Sequence, residues 1–362
     1  MEQIEVSPRL QLQTLISGTM SLDRFGNASR LLGRDGFKVD GRIEMELEGD
    51  LPSTMARSLG LGVLGFTSEL ERLKPDFVIL IGDRYEAFSA TIAAAYLNMC
   101  IVHFQGGEVS GSIDESARHA ITKLSHYHVP ATKRAKEFLL RMGEREKTIL
   151  GVGCPSADLA TKLNSWKSGT EPESNKVHVL FTQERPYILA CFHPNTTRFG
   201  TEEQSFTEYV KAVLSHDYHI LFITPNIDAG SGRFSKILHR LVDEYGNKRV
   251  KLVSNLPPTD YLAVLRDASC AVGNSSSFVR DSGYFGTPVV IVGDRQNSRE
   301  VADNVVFVPP TRMEISEAMH RQIAHGRFSP NQLYGRSGIS QRVVEKLIDL
   351  SPYAQKKLGY LD

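Results

Sequence analysis

The chain has 362 residues, more than one hydrophobic core usually serves, so two domains are expected. Hydrophobic residues at 41% and charged ones at 23% are those of an ordinary globular protein, and a formal net charge of zero gives no electrostatic reason to seek nucleic acid or an anionic membrane as partner. The four cysteines, Cys100, Cys154, Cys191 and Cys270, are too far apart for a zinc pattern or a disulfide framework. They read as buried free thiols of a reducing compartment, and with no signal peptide and no membrane-length apolar run the protein is expected in the cytoplasm.

In chain order, the residues before Leu10 are largely polar, and no strand with a Gly-rich or basic phosphate turn precedes the first strand candidate at 10–17. Further short apolar runs at 77–81, 100–104, 149–152, 187–192, 219–224, 251–254, 270–272, 288–292 and 305–308 read as strands. Helical patterns fall between them at 53–73, 87–97, 115–124, 133–141, 202–214, 235–245, 260–267 and 314–324. That alternation predicts an α/β fold, with parallel sheets covered by helices on both faces, as two doubly wound, Rossmann-like domains flanking a cleft. The polar stretch 164–176 reads as a linker between an N-terminal domain at 1–163 and a C-terminal domain at 177–340. Residues 341–362 then form a terminal helix or tail that is free to pack back on the N-terminal domain.

In such folds ligands bind beyond the carboxyl ends of the strands. Gly82-Asp83-Arg84-Tyr85-Glu86 follows one strand, where Asp83 either orients a substrate group or caps the next helix. His103-Phe104-Gln105-Gly106-Gly107-Glu108, with Asp114, Glu115, Arg118 and His119 close behind, concentrates proton carriers around a glycine pair. There the backbone must turn tightly or admit a ligand closely. Glu108 and Asp114 are the acid/base candidates, because two carboxylates in one partly dry cleft raise each other's proton affinity. Arg118, one turn beyond Asp114, pairs with it or holds substrate oxygens, while His119 and His126 read as packing groups.

His193 ends the strand 187–192 and suits donation to a phosphate or acid catalysis. Asn226 and Asp228 occupy a polar strand-to-helix turn that serves a nucleotide or only the turn. Gly273-Asn274-Ser275-Ser276-Ser277 opens a helix with more hydroxyls than a cap requires, a ready anion site, and Asp281 a turn later is placed to accept from ribose hydroxyls. Arg295 and Arg299 follow another strand end and suit bidentate phosphate contacts. No P-loop, dinucleotide fingerprint or metal-ligand spacing occurs, so neither cofactor nor metal is expected.

Taken together, Gly82–Glu86, His103–Glu108, Asp114–Lys123, Gly273–Ser277 and Gly293-Asp294-Arg295-Gln296 resemble the hydrolysing UDP-N-acetylglucosamine 2-epimerases, over about residues 10–350. The resemblance implies a glycosyltransferase-B fold, a sugar nucleotide in the interdomain cleft, and a product of the free N-acetylmannosamine type for sialic- or legionaminic-acid biosynthesis. By motif it implies a catalytic set of Asp83, Glu108, Asp114, Arg118 and His193. Ser275, Ser276 and Asp281 then hold the nucleotide, Asp281 standing where the family has glutamate, and Asn226 and Asp228 form the second-domain turn. The Gly-Gly-Glu form implies the hydrolysing rather than the non-hydrolysing group, and family members are commonly dimers or tetramers. Members also open with a strand and a Thr-Gly-Thr-Arg-type phosphate turn that this chain lacks, which predicts apolar flanks exposed on the neighbouring strands. The remaining readings are a non-hydrolysing epimerase, a glycosyltransferase needing an acceptor sugar, and an inactive sugar-nucleotide-binding protein.

Overall fold

Short β-branched runs alternate with amphipathic helices, and every strand pairing among the described residues is parallel. The computed structural model describes residues 1–22, 28–165, 186–245 and 249–361. The strands are β1 (Leu15–Ser17), β2 (Gly41–Ile43), β3 (Phe77–Ile81), β4 (Cys100–Phe104), β5 (Tyr127–Val129), β6 (Tyr187–Cys191), β7 (His219–Ile223), β8 (Val250–Val253), β9 (Cys270–Gly273), β10 (Val289–Val292) and β11 (Val305–Val308). The second half forms one six-stranded sheet of order β11-β10-β9-β6-β7-β8, the doubly wound order, whose strand sequence reverses between β6 and β9. Crevices at such reversals are where this architecture binds ligands. Hydrophobic clusters cover both of its faces, one around Leu189, Leu221 and Ile291, the other around Ile188, Phe222 and Val290. Consecutive residues Ile188 and Leu189 fall in different clusters because side chains alternate across a strand.

The first half carries two parallel sheets, β1-β2 and β3-β4-β5. All five residues of β4 are buried, with Ile101 in the cluster under helix Pro52–Leu73 and Cys100, Val102 and Phe104 in the cluster on the other face. Helix Pro52–Leu73 starts on a proline at its first turn, ends at Lys74 in the left-handed conformation, and buries Ser58, Gly62, Phe66 and Leu70 as one stripe at four-residue spacing. On β3, Val78 is buried, whereas Ile81 at the cavity end of the strand is 57% accessible.

Several elements differ from the sequence expectation. The strand at 10–17 is only Leu15–Ser17, because its partner β2 offers three residues. Residues 149–152 supply a single bridge from Ile149 to His128 rather than a strand, since β5 is short and Pro130 beyond it has no N–H to extend the ladder. Strands β2 and β5 and helix Ser156–Ser165 lie outside the expected elements, being too short or too weakly patterned to show in the sequence. That helix includes residues 164 and 165 of the expected linker; the remainder of 164–176 and the start of 177–340 lie outside the described residues. All four cysteines are free and buried. Among the described residues no helix is long and apolar enough to cross a membrane.

Helix Ile339–Ile348 buries Ile339, Val343 and Leu347 in the same cluster as Cys100, Val102 and Tyr127, so the end of the chain completes the core of its first half. Leu347→Ala is expected to cost about 2–5 kcal/mol through lost burial and the cavity left behind. The measurement is the shift in a urea unfolding curve.

Candidate active site

A cavity of about 540 Å³ lies between the carboxyl ends of the strands of the two halves, within the range of small-molecule sites. From the first half it is lined by Ser17, Gly82, Asp83, Arg84, Ser110, Asp114 and Arg118, and from the second by His193, Asn226, Ser275, Ser276, Arg280, Arg295, Gln296 and Arg299, among others. Five guanidinium groups (Arg84, Arg118, Arg280, Arg295, Arg299) face three carboxylates (Asp83, Glu86, Asp114) on this lining, an excess of positive charge suited to a diphosphate.

Arg118, 1% exposed, organises the first half of the site. Its Nε donates to Asp83 Oδ2 at 2.9 Å, Nη2 donates to the same oxygen, and Nη1 donates to the Glu108 carbonyl at 2.7 Å. Burial alone would raise the Asp83 carboxyl, but Arg118, Arg280 and Arg299 outweigh it and hold Asp83 well below the usual carboxylate range. Asp83 does not cap its helix, and helices Tyr85–Tyr96 and Ile113–Leu124 both begin without a side-chain cap.

The two acid/base candidates have separate environments. Glu108 does not line the cavity; it is 5% exposed, and its Oε2 accepts from Arg280 at 3.3 Å and from Arg299. Desolvation raises its carboxyl, and Arg280, Arg299 and Arg118 more than reverse that, so it stays ionised. Asp114 lines the cavity, where it accepts from Ser112 Oγ at 3.1 Å and from Arg295 Nη2 at 3.2 Å. Its carboxyl is pushed up, first by burial and against the pull of Arg295, with Asp83 and Asp228 adding to the rise. Gly106 and Gly107 serve close packing rather than a ligand. A Cβ on Gly107 (φ +78°) would lie 2.3 Å from Ala135 O, and one on Gly106 would lie 2.8 Å from Thr122 Oγ1.

In the second half, His193 lines the cavity, but both ring nitrogens are engaged inside the protein. Nδ1 accepts from the Asn226 N–H at 3.3 Å and Nε2 lies 3.3 Å from Cys191 Sγ. Burial, with Arg295 nearby, drives the ring down to about 3, so it is neutral. Asn226 lines the cavity beside it, whereas Asp228 sits behind as counter-charge, accepting from Arg84 Nη1 at 3.0 Å and lying 3.8 Å from Arg295. Ser275 and Ser276 reach the cavity; Ser277 turns away, its Oγ 2.5 Å from Tyr261 OH. Asp281 is also turned from the lining, and burial pushes its carboxyl up to about 6 against the opposing pull of Ser156 and Arg280.

Sequence reasoning passed over Arg84, Arg280 and Gln296. Arg84 and Gln296 stood inside motifs already singled out, and Arg280 lies five residues beyond Ser275, one short helix away. The halves are also joined through backbone: the Gly111 N–H donates to Arg295 O at 3.0 Å and Asn195 Nδ2 to Gly111 O at 3.1 Å. A Cβ on Gly111 would come within 2.0 Å of Asp294 O, so only glycine permits this approach. No group of metal-holding side chains occurs among the described residues.

With this geometry in place, comparison with known proteins is specific. Residues 2–348 match the family model described as UDP-N-acetylglucosamine 2-epimerase. The chain is 33% identical to the UDP-N,N'-diacetylbacillosamine 2-epimerase (hydrolyzing) of Legionella pneumophila, over 98% of this chain and 92% of that one. It is 29% identical to a UDP-N-acetylglucosamine 2-epimerase of Neisseria meningitidis, covering 91% of this chain and 85% of the relative. In fold it is similar to the crystal structure of a Neisseria meningitidis UDP-GlcNAc 2-epimerase bound to UDP-GlcNAc, with a TM-score of 0.78 at 16% identity, over 96% of this chain and 95% of that one.

Two substitutions probe these assignments. Glu108→Gln leaves Arg280 and Arg299 buried without their counter-charge and is expected to cost about 3–5 kcal/mol of stability, read by thermal unfolding. Asp281 has a raised carboxyl, so the stability it contributes is complete at acid pH and is lost as pH rises through about 6. Asp281→Asn is therefore expected to unfold at higher temperature than the parent above that pH, to lose this advantage on acidification, and to bind UDP unchanged.

Proposed function

Since the chain belongs to the UDP-N-acetylglucosamine 2-epimerase family, we propose that it is a hydrolysing 2-epimerase. Its substrate would be a UDP-linked 2-acetamido sugar, and its products the free sugar inverted at C2 and the nucleoside diphosphate. The observation that carries this reading is the division of labour among carboxylates. Asp114 reaches the cavity with raised proton affinity, while Asp83 and Glu108 are held ionised by arginines. The hydrolysing character of the Legionella pneumophila relative supports it.

The C2 proton is weakly acidic, because that carbon bears no carbonyl. As the C1–oxygen bond to the diphosphate breaks, the ring gains oxocarbenium character and C2 becomes more acidic. Asp114 takes the C2 proton, the C–H pair becomes the C1=C2 double bond, and the diphosphate leaves with the C1–O electrons. The developing phosphate charge falls among Arg84, Arg280, Arg295 and the Ser275–Ser276 turn, where each well-placed donor contributes about 3 kcal/mol. Water then adds its oxygen at C1 of the glycal while a proton returns to C2 on the opposite face, which balances the sum as substrate plus water giving free sugar plus diphosphate. Asp83, pinned by Arg118, orients the sugar, and Glu108 holds Arg280 and Arg299 in place.

The test is incubation with UDP-N-acetylglucosamine and, separately, UDP-N,N'-diacetylbacillosamine in deuterated water, followed by NMR. Free 2-epimerised sugar, UDP and deuterium at C2 are expected, and Asp114→Asn is expected to lower kcat about 10²–10⁴-fold. Release of a UDP-linked epimer without free UDP would replace the reading with a non-hydrolysing epimerase.

A further inference from the structure

Helix Ile113–Leu124 supplies Asp114 and Arg118 from its first turns, and its other end is held from the far end of the chain. The last carbonyls of a helix have no partner within it and attract cations. Here Lys356 Nζ donates to Thr122 O at 2.9 Å and to Lys123 O at 3.1 Å, and pairs with Glu144 Oε2 at 2.6 Å. An ammonium has three N–H donors, and these contacts use all three. Glu144 is itself buried, and also accepts from Lys123 Nζ at 3.0 Å and His128 Nε2 at 2.9 Å. Neighbouring residues of the same tail grip the base of the first half: Tyr353 OH donates to His126 O at 3.3 Å, and His126 Nε2 lies 2.9 Å from Ala354 O.

The helix end is linked to the cavity through side chains. Thr122 Oγ1 lies 3.2 Å from His103 Nδ1, and His103 Nε2 lies 2.9 Å from Gly82 O, the residue before Asp83. Burial drives the His103 ring down to about 3, so it is neutral. Its single N–H faces the Gly82 carbonyl and its bare nitrogen accepts from the threonine hydroxyl. Arg118, one turn before Thr122, closes the circuit back to Asp83. A shift of the helix end would therefore be felt at Gly82, Asp83 and Arg118 together.

We propose that Lys356 is a remote positioning residue. The C-terminal segment straps the end of helix Ile113–Leu124 and thereby places Arg118 and Asp114 in the cavity. The kinetic consequence rests on the 2-epimerase reading; the mechanical one does not. The groups facing Lys356 are Glu144, Lys123 on the helix, and His126 and His128 around β5, while Tyr353 of the same tail faces Glu144 and Tyr127. Burial holds both histidines below their ordinary value and pushes Tyr353 up to about 12, whereas desolvation brings Lys356 down to about 8. Above that pH the amine would turn a lone pair toward one of its three acceptors.

The experiment compares Lys356→Met and Lys356→Arg with the full-length parent. Methionine keeps the packing stem and removes the charge. In Lys356→Met, amide hydrogen exchange across residues 118–126 is expected to accelerate, and kcat to fall about ten-fold while UDP affinity stays within about two-fold, since the serine turn lies in the other half of the molecule. In the parent, kcat is expected to fall as pH rises through about 8. Lys356→Arg, charged throughout, is expected to keep most of the rate and lose that alkaline limb. Unchanged exchange in Lys356→Met, or parallel loss of kcat and UDP affinity, would overturn the proposal. If the parent releases no UDP from its substrates, the epimerase reading fails on its own, and the strap is then decided by hydrogen exchange alone.

Discussion

The site depends on one buried guanidinium. Arg118 takes no solvent, and it satisfies its donors on Asp83 and on the Glu108 carbonyl. Those two partners come from the ends of adjacent strands β3 and β4, so the arginine ties the helix that follows β4 to both strands at once. Removing it would leave Asp83 ionised and half-buried without its closest partner, a larger penalty than the loss of a surface ion pair.

Behind the arginine-rich lining, Glu108 and Asp228 offset most of its positive charge before any ligand arrives. Glu108 meets Arg280 and Arg299, Asp114 meets Arg295, and Asp228 meets Arg84 and Arg295, each pair drawing one partner from each half of the chain. The exception is the pair Asp228 and Arg295, which belong to the same half. Chemically equivalent carboxylates thus acquire different duties from burial and neighbours alone. Glu108, with two arginines on one oxygen, is electrostatic scaffolding. Asp114, with a single shared arginine and two nearby acids, has its proton affinity raised instead.

Much of this was legible in the residues. Strand-ending motifs at Gly82, His103, His193 and Gly273 marked the cavity because parallel α/β sheets gather their strand ends on one side. What the motifs could not give was direction. Glu108 and Asp114 looked equivalent in the sequence, yet only Asp114 faces the cavity. Ser277 and Asp281 sat in an anion-binding pattern, yet Tyr261 and Ser156 draw them away from it. Such choices are made by tertiary contacts, from the 16 positions between Tyr261 and Ser277 to the 191 between Glu108 and Arg299, and no local pattern encodes those. Short elements escaped for a simpler reason: three-residue strands such as β2 and β5 do not show a period.

The position of helix Ile339–Ile348 has a consequence for how the chain acquires its structure. Domains made on the ribosome generally fold in the order of synthesis. Here Ile339, Val343 and Leu347 complete the cluster that covers one face of β4 and β5. That face is not fully covered until Ile339–Ile348 has been translated, long after its strands. The half that is synthesised first therefore waits on a later segment to close its core, and in the interval part of one strand face stays open to water or to a chaperone.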